Sequence, residues 1–258
     1  MKSPSKNSVR RAQTLLGTFV EITAKGLSIP ELHKAISNAF EEIRRVHQEL
    51  SFFDPASDVS RLNRDAFSGP IRVGKDCYFV LKAACKVSRS TDGLFDCSAG
   101  SGGSYRDIVF LSKSRIKFKR ALTVDLGGIA KGFAVDRAVS VLKEKGVPSG
   151  CVNAGGDLRV FGEGVQPIHV RHPQNPSIFV LIGHFKDISF ATSGIYFSKK
   201  IARPGTNRFY EDPSSISVMA SECMMADALT KPVSLGPERS GRFLERFKAK
   251  AFILRPSS

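Results

Sequence analysis

A chain of 258 residues with 41% apolar and 24% charged residues has material for a sizeable core and the composition of a globular protein. It contains no run of about 18 apolar residues, which excludes a membrane-spanning helix. The net charge of +15 suits an anionic ligand such as a nucleotide diphosphate, or a nucleic acid. No zinc-finger spacing or aromatic RNP-type motif supports the latter, so no nucleic-acid partner is expected. Cys77, Cys85, Cys97, Cys151 and Cys223 are odd in number and form no CxxC pair. That points to free thiols in a reducing compartment rather than a disulfide framework or a zinc site.

In chain order, residues 1–14 read as a disordered basic lead. It has no apolar h-region and no small-residue cleavage site, which gives the expectation of a cytoplasmic protein. "LGTFVEITA" (16–24) alternates and carries β-formers, predicting a strand. Ser28 and Pro30 then open a helix on which Leu32, Ala35, Ile36, Ala39, Phe40, Ile43, Val46 and Leu50 recur at helical spacing. "SFFDPASDVSRLNRD" (51–65) reads as a loop, 76–90 as a helix, and "SAGSGGS" (98–104) as a flexible turn. Strands are predicted near 116–125, 150–161, 167–171, 178–185, 188–192 and 216–220. Helices are predicted over 130–145, 221–231 and 237–248, with a last strand at "AFILR". There is no repeat and no regular βαβ alternation. The class is therefore α+β, with mixed or antiparallel sheets and packed helices.

The helix from Ala130 begins at Gly127-Gly128, directly after the β-like "LTVDL". Free amides at a helix start attract anions, and glycine allows close backbone approach. Lys131 sits in the first turn, where the helix dipole disfavours a cation unless something negative lies opposite. "GGIAKG" is neither a G-x-G-x-x-G fingerprint nor a P-loop. Taken alone it fits a tight structural turn as well as a ligand loop. In "VNAGGD", Asn153 and Asp157 can bond their own backbone in a turn.

Taken together, the motifs are more specific. "LGTFVEI", "SFFDPASDVSRLN", "DGLFDCSAG", "VDLGGIAKGFAVD", "VNAGGDLRVFG", "ATSG" and "ADALT" occur in that order over residues 15–236. The chain resembles the ApbE-like FAD:protein FMN transferase family. The resemblance implies a T-fold-like α+β architecture of two interleaved lobes over 15–258, with the flavin between them. It also implies Mg2+-assisted cleavage of FAD and attachment of FMN to a Thr or Ser of an acceptor flavoprotein. Carried over residue by residue, it assigns the nucleotide to Leu16, Phe53, Leu94, Phe95, Asp96, Asp125 and Lys131. It assigns the metal to the Gly128 carbonyl, Asp227 and Thr230, with Asp227 also catalytic.

Two positions depart from the family pattern. The family's His-x-x-Asp-Pro segment keeps Asp212-Pro213, but Phe209 stands at the histidine position. A base for the acceptor hydroxyl must then come from another group, such as Glu211 or Asp212. The family's Asp-x-x-x-Thr metal pattern becomes Asp227, Thr230 and Lys231, which brings an ammonium to the metal position. Three readings stay open: an FMN transferase, a flavin-binding protein without transferase chemistry, and an FAD diphosphatase.

Overall fold

The structure is a computed structural model and describes residues 7–175, 177–193, 201–202, 209–210 and 214–255. The chain opens with a hairpin in which Ser8–Leu15 (β1) pairs antiparallel with Thr18–Lys25 (β2), from Ser8↔Lys25 to Leu15↔Thr18. Leu16 and Gly17 make its two-residue turn at φ 55 and 70. Two positive φ values give the turn whose twist matches a hairpin. The expectation of a disordered lead is thus corrected from Ser8 onward. Val9 is buried, Arg10 pairs with Glu21, and Arg11 donates to Ser37 Oγ at 2.8 Å while lying over the Phe40 ring. The basic side chains disguised an edge strand by using their polar ends on the neighbouring strand and helix.

Ile29–Leu50 (α1) starts where predicted, with the Ser28 N–H donating to Glu31 Oε2 at 3.0 Å, and buries the eight apolar residues of its stripe. Asp58–Asp65 (α2) is a helix where a loop was expected. It buries only Val59 and Leu62, too few for a periodic signal, and Ser57 caps it by accepting from Ser60 N–H at 3.0 Å. Ile71–Arg72 (β3), Lys75–Ser90 (α3), Ile108–Leu111 (β4) and Arg115–Phe118 (β5) follow. The three strands form a small antiparallel sheet in the order β3-β5-β4. The predicted strand 116–125 therefore stops at Phe118.

Next come Ala130–Glu144 (α4) and Ser149–Ala154 (β6), then Asp157–Gly162 (β7), Gln166–Arg171 (β8), Phe179–Phe185 (β9) and Ser189–Ser193 (β10). The single strand predicted over 150–161 is the β6–β7 hairpin, turned at Gly155 and Gly156 with φ 63 and 103. The short pair Ile201–Ala202 (β11) and Phe209–Tyr210 (β12) precedes Ser215–Ala220 (β13), Cys223–Leu235 (α5), Ser240–Arg246 (α6) and Lys250–Leu254 (β14).

The main sheet has seven antiparallel strands in the order β1-β2-β6-β7-β10-β13-β14. Strand alternation divides its side chains between two cores. Phe161, Ala191 and Val218 face the helices and join the large core with α1, α3, α4 and α5. Their neighbours Val160, Phe190 and Met219 face the other way, where Ile168 of β8 and Phe185 of β9 cover them. The ring centroids of Phe185 and Phe190 are 4.9 Å apart on that side. α2, α3 and the small sheet belong to the same large core, so one continuous apolar interior sets the positions of the loops around the start of α4. Among the described residues no helix is long and apolar enough to cross a membrane.

Candidate functional site

α4 and α5 cross at Gly132, where a Cβ would stand 2.6 Å from the Cys223 carbonyl carbon and 2.8 Å from Met224 Cα. Only glycine permits this approach. Each helix then caps the other. Asp227 of α5 accepts from Gly132 N–H in the first turn of α4 at 3.1 Å. Asp136 of α4 accepts from the first two amides of α5, Cys223 N–H at 3.0 Å and Met224 N–H at 2.8 Å, and from Arg159 Nη1 at 2.6 Å. Helix starts leave amides without intrahelical partners and carry partial positive charge, so a carboxylate at each is doubly favoured.

Lys131 pairs with Asp157 at the start of β7. Asp157 is 2% exposed and Asp227 6% exposed. Burial pushes the Asp157 carboxyl up and the Asp227 charge adds to it, outweighing Lys131, so that it reaches about 7. Burial works against the Lys131 ammonium, but Asp227 and Asp157 together more than offset it and hold the pKa above its ordinary value. The negative partner that the dipole argument requires opposite Lys131 is this buried carboxylate pair. Asp157 thus does more than bond its own turn, a role that only the tertiary fold reveals.

The remaining predicted positions are tied to this centre by backbone contacts. Asn63 of α2 acts as a surrogate strand for the 123–125 segment: its Nδ2 donates to Val124 O at 3.0 Å and its Oδ1 accepts from Val124 N–H at 2.7 Å. Asp125 N–H donates to Cys97 O at 2.7 Å, joining the 94–98 segment to the glycine loop. Within that segment Phe95 is buried, and Asp96 accepts from Ser98 N–H, Ser98 Oγ and Tyr105 N–H, so its carboxylate shapes the loop. Leu94 packs against the α5 end at Gly236. The Asp125 carboxylate accepts from Gly127 N–H at 2.7 Å. Phe53 is 90% exposed, with its ring edge-on to Phe52, on a loop held by Ser51 Oγ, which accepts from the N–H groups of Phe53 and Asp54. Leu16 holds its left-handed conformation in the β1–β2 turn, whose Thr18 lies against Gly155. A cleft of about 480 Å³ borders the β1–β2 and β6–β7 turns, with Thr18, Phe19, Asn153, Gly155, Gly156 and Phe179 among its walls.

Accounting for the backbone amides at the start of α4 leaves a remainder. Gly127 N–H goes to Asp125, Ile129 and Ala130 N–H go to Leu126 O, and Gly132 N–H goes to Asp227. Among the described residues the N–H groups of Gly128 and Lys131 have no partner. Beside them lies a third donor: the Lys231 side chain crosses Gly128, with Nζ 2.5 Å, Cε 3.0 Å and Cδ 3.3 Å from where a Cβ would be. Two unpaired amides and an ammonium at a helix start are groups that can donate hydrogen bonds to the oxygens of an anion.

A profile of the ApbE family matches residues 16–104 and 102–253. The chain belongs to the ApbE family. FAD:protein FMN transferase of Vibrio cholerae serotype O1 is 26% identical over 245 aligned positions, covering 76% of this chain and 72% of that protein. The Treponema pallidum protein of the same name is 24% identical over 298 positions, covering 92% and 81%. The crystal structure of the ApbE protein from Thermotoga maritima shares the fold with a TM-score of 0.81 at 26% identity, over 96% of this chain and 94% of that one. Flavin transferase ApbE from Vibrio cholerae gives 0.78 at 22% identity, over 96% and 93%.

In this ApbE-family chain Asp227 reaches the start of α4 through Gly132 N–H, and Lys231, the residue after Thr230, lies along Gly128. The donor set is nevertheless poor. One Asp227 oxygen is engaged by Gly132, and Thr230 Oγ1 donates to the Asp227 carbonyl at 2.8 Å. Among the described residues no three His, Cys, Asp or Glu side chains are grouped to hold a metal ion. The space over Gly128 is filled by the Lys231 ammonium. A doubly charged ion that seeks six hard oxygens does not fit beside that cation. The predicted base Asp212 lies outside the described residues, as do Glu211 and the side chain of Phe209.

Proposed function

We propose that this protein is an FAD:protein FMN transferase that binds FAD at the start of α4 and moves its FMN moiety to a Thr or Ser hydroxyl of an acceptor flavoprotein. The observation that carries the reading is the group of three donors without a partner among the described residues, Gly128 N–H, Lys131 N–H and Lys231 Nζ. Family membership and the names of its relatives support the same activity.

In this reading the donors hold the diphosphate. Phe53, an aromatic face left almost wholly in solvent, serves as a flavin wall. Transfer consists of attack by the acceptor oxygen on the FMN phosphorus. The bond to the bridging oxygen breaks, AMP leaves with that oxygen, and the hydroxyl proton passes to a base, for which Asp212 is the sequence's candidate. The fixed donors stabilise the charge that grows on the leaving phosphate without reorganising during the reaction.

The test is incubation with FAD and a purified acceptor flavoprotein, followed by mass spectrometry of the acceptor. An FMN-sized increase on one Thr or Ser is expected. Release of free FMN and AMP with an unmodified acceptor would replace transfer by hydrolysis, and intact FAD retained on the protein would reduce the function to binding.

A further inference from the structure

We propose that Lys231 supplies, as a fixed ammonium group, the positive charge at the FAD diphosphate that the resemblance assigns to Mg2+, so that this chain binds FAD without a divalent cation. The inference rests on the proposed FAD site and goes beyond it by naming the counter-charge.

Three observations converge on Lys231. Its side chain lies along Gly128, with Nζ 2.5 Å from the position a Cβ would take, and any side chain at 128 would push the ammonium away. Among the described residues Lys231 has no ion-pair partner, whereas the other ammonium at the site, Lys131, is committed to Asp157. A long flexible cation left without a carboxylate, next to two unpartnered amides, is arranged for an incoming anion. Finally, few side-chain oxygens are grouped here for a metal, since among the described residues no three His, Cys, Asp or Glu side chains come together. Gly132 N–H occupies one Asp227 oxygen, and the Thr230 hydroxyl points its proton at the Asp227 carbonyl.

Lysine differs from a divalent ion in ways that can be read out. It brings one charge and three donors on a flexible stem, cannot be removed by a chelator and cannot be exchanged for manganese. The diphosphate would be met by Lys231 Nζ together with the Gly128 and Lys131 amides, all belonging to the protein.

The experiment uses the full chain and FAD. Dissociation constants are measured by flavin fluorescence in EDTA and in millimolar Mg2+, for the wild type, Lys231→Ala and Lys231→Thr. Folding of each variant is checked by circular dichroism. The wild type is expected to bind FAD equally in EDTA and in Mg2+. Lys231→Ala is expected to raise the dissociation constant about tenfold in EDTA, equivalent to about 1.4 kcal/mol. Lys231→Thr, which exchanges the ammonium for a hard oxygen, should bind weakly in EDTA and regain affinity with Mg2+. Electron paramagnetic resonance of the wild type with FAD and Mn2+ should show only free Mn2+. A wild type that needs Mg2+ for tight FAD binding, or one that holds Mn2+ with FAD, overturns the inference and leaves the FAD site standing. A folded Lys231→Ala with wild-type affinity overturns it as well. Absence of FAD binding under both conditions removes the proposed function and this inference together.

Discussion

Replacing Gly132 by alanine probes the crossing on which the site is built. The added Cβ would lie 2.6 Å from the Cys223 carbonyl carbon, against about 3.4 Å for ordinary contact, and closer still to its oxygen, so the two helix backbones must separate by at least about 0.8 Å. Both partners are backbone and neither can rotate aside. Overpacking of this kind costs about 1–3 kcal/mol. Separation also stretches the Gly132 N–H to Asp227 bond, a hydrogen bond to a charged group worth about 1.5–3 kcal/mol. Alanine recovers about 1 kcal/mol through its better helix propensity. The net expectation is a loss of about 1.5–5 kcal/mol, or a melting temperature lower by about 3–10 °C for a chain of this size. The same substitution at Gly128, four residues earlier, meets only the flexible end of Lys231. It should leave the melting temperature nearly unchanged and weaken FAD binding by displacing the ammonium. Scanning calorimetry on both variants and FAD titration of Gly128→Ala check the contrast. A Gly132→Ala protein that melts at or above the wild-type temperature would refute the close crossing.

Lys131→Ala should destabilise the protein by about 3 kcal/mol, because it leaves two buried carboxylates facing each other, and Asp157→Asn in the same chain should recover most of the loss in chemical denaturation. For the wild type, the Asp157 carboxyl is raised from 3.8 to about 7, so its contribution to stability is full below pH 4 and lost as pH rises through 7; Asp157→Asn should flatten melting temperature against pH between 5 and 8. The same sign holds for the ligand: protonating Asp157 removes negative charge beside Lys131, so FAD affinity should rise as pH falls from about 8 to 6, by at most about tenfold per unit, and titration in buffers of different ionisation heat should show proton uptake. Asp136→Ala removes the cap from α5 and should cost about 2 kcal/mol in urea unfolding, with far-ultraviolet dichroism of the folded state preserved. Burial pushes the thiols of Cys77, Cys151 and Cys223 up, and a hydrogen bond with Cys85 followed by burial does the same for Cys97, so the native protein should resist iodoacetamide at mildly alkaline pH until it is unfolded, read by intact mass.

The elements with strong periodicity were legible in the sequence. The α1 stripe, the α4 helix with its glycine start, and the strands β8, β9, β10 and β13 lie where alternation and caps predict. The misreadings share a cause, namely that polar side chains replaced hydrophobic pattern as the organising contact. β1 is held by Arg10 and Arg11, α2 by a serine cap and two apolar residues, and the Val124 segment by Asn63 from 61 residues away. Local sequence cannot announce a partner at that separation. The same holds for the site. The spacing marked Lys131 as out of place in its helix, but the carboxylates that justify it come from β7 and from α5, and the reciprocal cap by Asp136 carries no local signal at all.

Capping within the chain limits what the glycine-rich start can do. A free helix N-terminus would meet an anion with several amides; here Asp125, Leu126 O and Asp227 consume most of them, and among the described residues only Gly128 and Lys131 N–H remain. Backbone alone is therefore a weak anion holder in this chain, and side-chain cations must carry more of the charge. Lys131 is anchored by Asp157, whereas Lys231, without an ion-pair partner among the described residues, is the cation to which the proposal gives the diphosphate. The glycine at 128 then has a definite purpose. Its missing side chain is the channel through which a lysine from the neighbouring helix reaches the start of α4.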